Sequence, residues 1–385
     1  MTICVDLGGS FGARRGSSVS AATARATACS AFTTRRSGVP IPGVGNSPAA
    51  IVRLSRLRRS RVVLGQPAGG SVSTSRPFRF GTGAHATATA AEYADAARRI
   101  EDLGYDTLVV PDHFERAWFA AGPALVAAAS ATTTLRVGSL LYSNNFRHPA
   151  LLAREAATVD VLSEGRLEFG IGAGYLLPEY SQTGIELPPA RGRVDRLQEA
   201  LTVIKGLWSA EPLTFAGEHY SITEMEGWPK PIQQPHPPIQ VGGGGKRMLG
   251  LAAQQADTVG IIAQSLEAGG IDYGRDTHAG VAKKVGWVRE AAGERFAHLE
   301  LAVLIWRVVV TDHRRSTAEE IAHQRGMTAE QVLASPYFLI GSLASILEDV
   351  QALRERHGIS YLTVFPSDID VFAPVVDQLG HTKSS

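Results

Sequence analysis

The chain has 385 residues, 44% of them hydrophobic and 19% charged, with a formal net charge of +1. That balance excludes a chain too polar to bury a core, and it offers no excess positive charge for nucleic acid or an anionic membrane surface. No apolar run reaches the length of a membrane span, and the two cysteines, Cys4 and Cys29, make neither a disulfide framework nor zinc-ligand spacing, which predicts a reducing, cytoplasmic setting.

Charge is unevenly spread. Asp6 is the only acidic residue before Glu92, and the same stretch is rich in Arg, Ser and Ala and has no lysine. Such a start shares its composition with organelle transit peptides, but composition is the sole support for targeting. Residues 1–76 are therefore expected to be a disordered basic extension, with the folded domain at 77–385.

From Arg79 the pattern is regular. Arg79–Ala84 reads as a short strand. Thr89–Leu103 reads as a helix, with Tyr93, Ala96, Ala97, Ile100 and Leu103 at three- and four-residue spacings, and Gly104 stands where a C-terminal cap belongs. Asp106–Val110 is a buried-type strand, Pro123–Ala131 a helix, Leu135–Tyr142 a third strand, Pro149–Leu162 a helix and Leu167–Gly172 a fourth strand. A helix over Val194–Trp208 precedes a polar, proline-rich insertion, Leu213–Pro237, with a hairpin around Ala216–Gly217. Strands follow at Ile239–Val241, Thr258–Ile262, Leu299–Val310 and Tyr361–Phe365. Helices are expected at Lys246–Gln255, Thr277–Ala292, over much of Ala318–Arg356, and at Val371–Leu379. Eight apolar strands alternating with helices predict an α/β fold with a parallel sheet covered on its outside. The count favours a closed (β/α)8 TIM barrel, with an insertion after the fourth unit. The rival is an open doubly wound sheet, but the first strand ends in GTGAHA and lacks its G-x-G-x-x-G fingerprint.

In such a barrel, chemistry sits where the strands end. After strand two stand Asp112 and His113; histidine suits proton transfer near neutral pH, and the pair equally suits a solvated loop beside a capping aspartate. After strand three, Arg147 and His148 read as ties between loop and helix. After strand four the alternating Gly170, Gly172 and Gly174 mark close approach of a ligand or of another backbone, and three glycines in one strand end favour the ligand over tight barrel packing. After strand five, Gly242–Gly245 and Lys246 open a helix, where bare amides can receive an anion. His85, Trp118, Glu179 and Trp228 stand near the mouth and read first as packing or capping residues. No histidine cluster has metal spacing, so no metal is expected.

With these residues in hand, the chain resembles the bacterial luciferase-like family of flavin- and deazaflavin-dependent barrels, from about Arg79 to Leu379. The segments LGYDTLVVPDHF, FRHPALLAREAATVDVLSEGRLEFGIGAGY, RVDRLQEALTVIKGLW and PIQVGGGG carry the likeness, and members using the deazaflavin coenzyme F420 look closest. The resemblance implies an oxidoreductase. It would move a hydride between F420 and a small organic substrate, with reduced FMN and oxygen as the alternative chemistry. It puts Asp112 and His113 at the ring, with His113 serving the reacting centre. It puts a non-prolyl cis peptide at Leu140–Leu141 behind the ring, Gly172 and Gly174 on the neighbouring wall, and Gly243, Gly244, Gly245 and Lys246 on the phosphate turn. A homodimer and a separate reductase supplying reduced cofactor are the partners it implies. The chain departs from the family's glucose-6-phosphate dehydrogenases, which carry a glutamate where this chain has Tyr175; His85 stands near their strand-one glutamate. His85, Trp118 and Tyr175 are thus expected to shape a pocket for another substrate.

Overall fold

The computed structural model describes residues 76–114, 117–265, 271–272 and 276–380. The expected extension at 1–76 lies outside the described residues apart from Arg76, and the side chains of 264–275 lie outside them as well.

Eight parallel strands close on themselves: β1 (Arg79–Gly83), β2 (Thr107–Val110), β3 (Arg136–Ser139), β4 (Leu167–Gly172), β5 (Ile239–Gly243), β6 (Thr258–Ile261), β7 (Glu300–Ile305) and β8 (Ile359–Val364). The ring is sealed where β3 meets β4, Val137 opposite Leu167 and Gly138 opposite Glu168, and where β8 meets β1, Arg79 opposite Tyr361. Nearly every strand residue is buried because helices cover the outside while the barrel is filled within. The expected TIM barrel is the observed fold.

Local chemistry explains the helices. The first, α1 (Ala90–Asp102), starts at a capping box in which the Thr89 hydroxyl accepts from the Glu92 amide and the Glu92 carboxylate accepts from the Thr89 amide. It buries Tyr93, Ala97 and Ile100. Gly104 follows at φ +84°, a backbone state that costs glycine little. Among the described residues no helix is long and apolar enough to cross a membrane.

Three elements differ from the sequence reading. The third strand, expected to run unbroken to Tyr142, is interrupted at the Leu140–Leu141 peptide, which is cis as the family resemblance implied, and Tyr142–Ser143 resumes pairing with β4. The seventh breaks at Trp306, whose amide donates to the Tyr337 carbonyl at 2.7 Å. Arg307–Val310 then leaves the barrel and pairs in parallel with Phe338–Gly341, a strand inside the region expected to be helical. Its amides find partners there, and the buried Asp368 carboxylate accepts from the Val308 amide at 2.8 Å. After α2 (Ala121–Ala131) and α3 (Pro149–Leu162), a short helix, α4 (Leu177–Thr183), stands between β4 and the long α5 (Ala190–Trp208). The expected hairpin is present, pairing Leu213–Ala216 with Ser221–Met225.

Inside the barrel the lower layer is charged and interlocked. Arg79 bonds Glu168 and, at 2.7 Å, Glu300; Arg136 Nε donates to Glu168 at 2.7 Å; Thr258 donates to Glu300 at 3.3 Å. Above it the inward positions are mostly small: Gly83, Gly172, Gly242, Gly260 and Ala302 all border one cavity. Floor and clearing together put an open volume at the strands' C-terminal ends.

Candidate active site

That volume, about 900 Å³, opens at the barrel mouth, and each strand end supplies part of its wall. Beyond β2 come Asp112 and His113. Both Asp112 oxygens face the Arg147 guanidinium, at 3.1 and 3.0 Å, and one also accepts from the Ser143 amide at 3.0 Å. This two-pronged pair is a strong, geometry-fixing contact, and it locks the β2 loop to the β3 loop. Arg147 is thus a loop tie, as its sequence position suggested, and its partner is the aspartate.

His113 lines the cavity. Its Nδ1 lies 3.1 and 3.0 Å from the two oxygens of Glu179, which also accepts from the Phe114 amide at 2.7 Å. A carboxylate at Nδ1 selects the tautomer with hydrogen on that nitrogen, an assignment made from the hydrogen-bond network. Nε2 then has no partner among the described residues. Glu179 has only 6% of its side chain exposed. Sequence reading set it among packing residues, because nothing in the spacing of His113 and Glu179 links them; the connection is made by α4. The next residue, Tyr180, bonds Ser143 Oγ at 3.0 Å and accepts from Asn145 at 3.3 Å, so one turn of α4 fixes two loops. Tyr175 meets the His113 ring edge-on at 6.1 Å.

The glycines after strand four have distinct reasons. A Cβ on Gly170 would strike the Ser139 carbonyl and lie 2.7 Å from a Leu141 methyl. A Cβ on Gly172 would meet Leu141 at 3.4 Å, and one on Gly242 would meet it at 3.1 Å. The Leu141 side chain therefore lies across the space these glycines vacate. Gly170 serves backbone packing, against the ligand contact inferred from the sequence, while Gly172 and Gly174 also border the cavity. Gly174 takes φ +75° against the Tyr180 hydroxyl.

Gly242–Gly245 lead into the helix α6 (Lys246–Gln255), whose N-cap Gly245 offers no side chain. The first helical bond is from the Leu249 amide to the Gly245 carbonyl, so earlier amides are left for an anion at the mouth. The Lys246 ammonium is turned away: it bonds Glu290 at 3.0 Å, both side chains well exposed, and it does not line the cavity. A phosphate role for Lys246 would have to run through its backbone amide. Arg247 does line the cavity, held by Asp195 and by the Arg191 carbonyl. Arg193, also lining it, donates to the Pro188 carbonyl at 2.9 Å, and burial pulls its pKa down. Trp118 lines the cavity with His85 packed on its outer side, ring centroids 5.0 Å apart; His85 itself is exposed and outside the lining. Among the described residues no group of three His, Cys, Asp or Glu could hold a metal ion.

The family model for the luciferase-like monooxygenase matches residues 71–361. An F420-dependent glucose-6-phosphate dehydrogenase of Microbacterium testaceum is 32% identical over 190 residues, 47% of this chain and 55% of that protein. The enzyme of the same name from Kineococcus radiotolerans is 34% identical over 190 residues, 47% of this chain and 56% of that protein. The chain spans about half the length of the curated relatives it matches. Among solved structures, an F420-dependent secondary alcohol dehydrogenase with an F420–acetone adduct superposes with TM-score 0.66 at 21% identity, covering 80% of this chain and 100% of that one. A long-chain alkane monooxygenase does so with TM-score 0.62 at 16% identity, covering 81% and 94%. At these identities the likeness is one of fold.

Proposed function

The chain belongs to the luciferase-like monooxygenase family, and from that premise we propose that it is an F420-dependent oxidoreductase acting on a small organic molecule. The name shared by its curated relatives supports the cofactor. The residues fit such a group: a deep cavity cleared of side chains suits a flat ring, and the bare first turn of α6 suits a phosphate. When bound, the deazaflavin supplies hydride transfer; the protein supplies orientation, exclusion of water and proton movement.

The observation that carries the reading is the His113–Glu179 pair at the cavity wall. Glu179 holds hydrogen on Nδ1, which leaves Nε2 to donate or accept a proton at a substrate oxygen as hydride moves. Asp112 holds the loop that carries His113. Tyr175 meets the His113 ring, and the family resemblance implies a glutamate at its position in the sugar-phosphate enzymes; together these favour a substrate other than a sugar phosphate.

The test is a titration of purified protein with F420 and FMN, each oxidised and reduced. Tight binding of F420 is expected, with His113→Ala retaining affinity while losing turnover. Binding of reduced FMN without F420 would replace this reading with a flavin monooxygenase fed by a separate reductase. Binding of neither would leave a barrel without this chemistry.

A further inference from the structure

Among the described residues, most charged and polar side chains low in the barrel are paired, whereas the Gln240 carboxamide, which opens into the cavity, is not. Gln240, second residue of β5, lies beside Thr258 of β6 and Gly170 of β4. Thr258, Glu168 and Glu300 are all hydrogen-bonded below. Gln240 is 8% exposed and lines the cavity. Its Nε2 stands 3.5 Å from where a Cβ on Gly260 would be, which places the carboxamide on the inner face. Its carboxamide makes no hydrogen bond to another described residue, and its polar atoms stay accessible from the cavity. A carboxamide carries two N–H donors and a carbonyl acceptor, and buried polar groups of this kind are nearly always satisfied. The protein groups beside it do not take up the amide: Gly260 and Gly242 lie alongside, and Leu141 and Ile262 close in on Gly242.

We propose that Gln240 is the polar anchor at the base of the cavity, and that it takes the imide edge of a flavin-type ring. Nε2–H donates to a ring carbonyl and Oε1 accepts from the adjacent ring N–H. This rests on the reading that the cavity holds such a ring. A primary amide presents donor and acceptor side by side, the complement of an adjacent C=O and N–H. A flat group fits a base walled by glycine backbone and one leucine side chain. The strand also has suitable reach. Gly245 lies five residues on from Gln240, at most roughly 18 Å of chain, so a cofactor with its ring edge at Gln240 and its phosphate at the α6 amides would span a single strand and turn.

The experiment compares wild type with Gln240→Met, a variant of similar length without donor or acceptor. Each is titrated with whichever of F420 and FMN the wild type binds, and with that cofactor methylated at the ring imide nitrogen. Thermal melting checks that the variant is folded. Gln240→Met is expected to weaken cofactor binding by about tenfold or more. Imide methylation is expected to weaken the wild type to a similar degree and to leave the variant nearly unchanged. Equal affinity of variant and wild type, or an equal penalty from methylation in both, overturns the proposal. The wild-type methylation arm stands even if the variant does not fold: no penalty there overturns it too. Wild type that binds neither cofactor removes the cofactor reading and this inference with it. Wild type that binds while Gln240→Met is unaffected removes this inference alone.

Discussion

Glu179 grips His113 from a helix 66 residues further along the chain, its two oxygens 3.1 and 3.0 Å from Nδ1. The same carboxylate takes the Phe114 amide, so ring and backbone of this loop are held by one side chain. Glu179→Gln keeps the shape but cannot accept from both donors with a full charge. Turnover of any substrate should fall by roughly tenfold to a hundredfold, with cofactor affinity within about threefold of wild type. Loss of affinity equal to the loss of turnover would make Glu179 a scaffold for the pocket and nothing more.

Removing Arg147 leaves Asp112, 9% exposed in its side chain, as a nearly buried carboxylate with one remaining amide donor. Arg147→Ala should lower unfolding free energy by about 2–3 kcal/mol. Arg147→Lys should recover only part of this, since an ammonium cannot match both oxygens. Urea denaturation of the three proteins measures it; full recovery with lysine would show that the two-pronged geometry is unimportant.

Gly170→Ala introduces a methyl group onto the Ser139 carbonyl and the Leu141 side chain. The obstacle is partly backbone, so it cannot simply rotate aside. A loss of about 1–3 kcal/mol is expected, against less than about 1 kcal/mol for Gly245→Ala, which meets nothing within 4 Å. Thermal melting of the two variants decides it.

Lys246→Ala should leave cofactor affinity within about twofold of wild type, because an exposed pair such as Lys246–Glu290 contributes little. A tenfold loss in the F420 titration would instead mean that the side chain swings to the mouth when ligand arrives.

Glu101 provides a pH test remote from the site. Burial pushes its carboxyl up, but the amides of Thr134, Leu135 and Thr133 and the Thr134 hydroxyl outweigh that and hold its pKa down at about 2. A depressed folded pKa gives stability that is complete above the unfolded value of 4.5 and lost as pH falls toward about 2. Glu101→Gln should therefore melt below wild type at pH 7, with the gap closing between about pH 4.5 and 2. A gap that stays constant to pH 2 would mean that the carboxylate charge is irrelevant.

The barrel was legible because its strands are apolar runs separated by amphipathic helices, and that period survives in one dimension. The glycine turn was legible for a similar reason: Gly242–Gly245 and the start of α6 are contiguous. What could not be read depends on pairing across distance. Glu179 looks like any helix-start carboxylate until α4 folds back over His113. Lys246 looks like a phosphate ligand until Glu290 is seen opposite. Gln240 is one polar letter in an apolar strand, and only closure of the barrel shows that no described residue bonds its amide. The break at Trp306 was hidden because Arg307–Val310 is as β-favourable as the strand before it; a different partner, Phe338–Gly341, takes it out of the ring.

The interlocked layer of Arg79, Arg136, Glu168 and Glu300 has a kinetic meaning. It makes the barrel a vessel with a stopper at one end, so everything enters and leaves through the same doorway. Where two molecules share the cavity above it, the one seated deeper must arrive first and depart last, with the second on top of it as a plug. Such a vessel favours an ordered mechanism, in which a deeper ligand would exchange after a shallower one had gone.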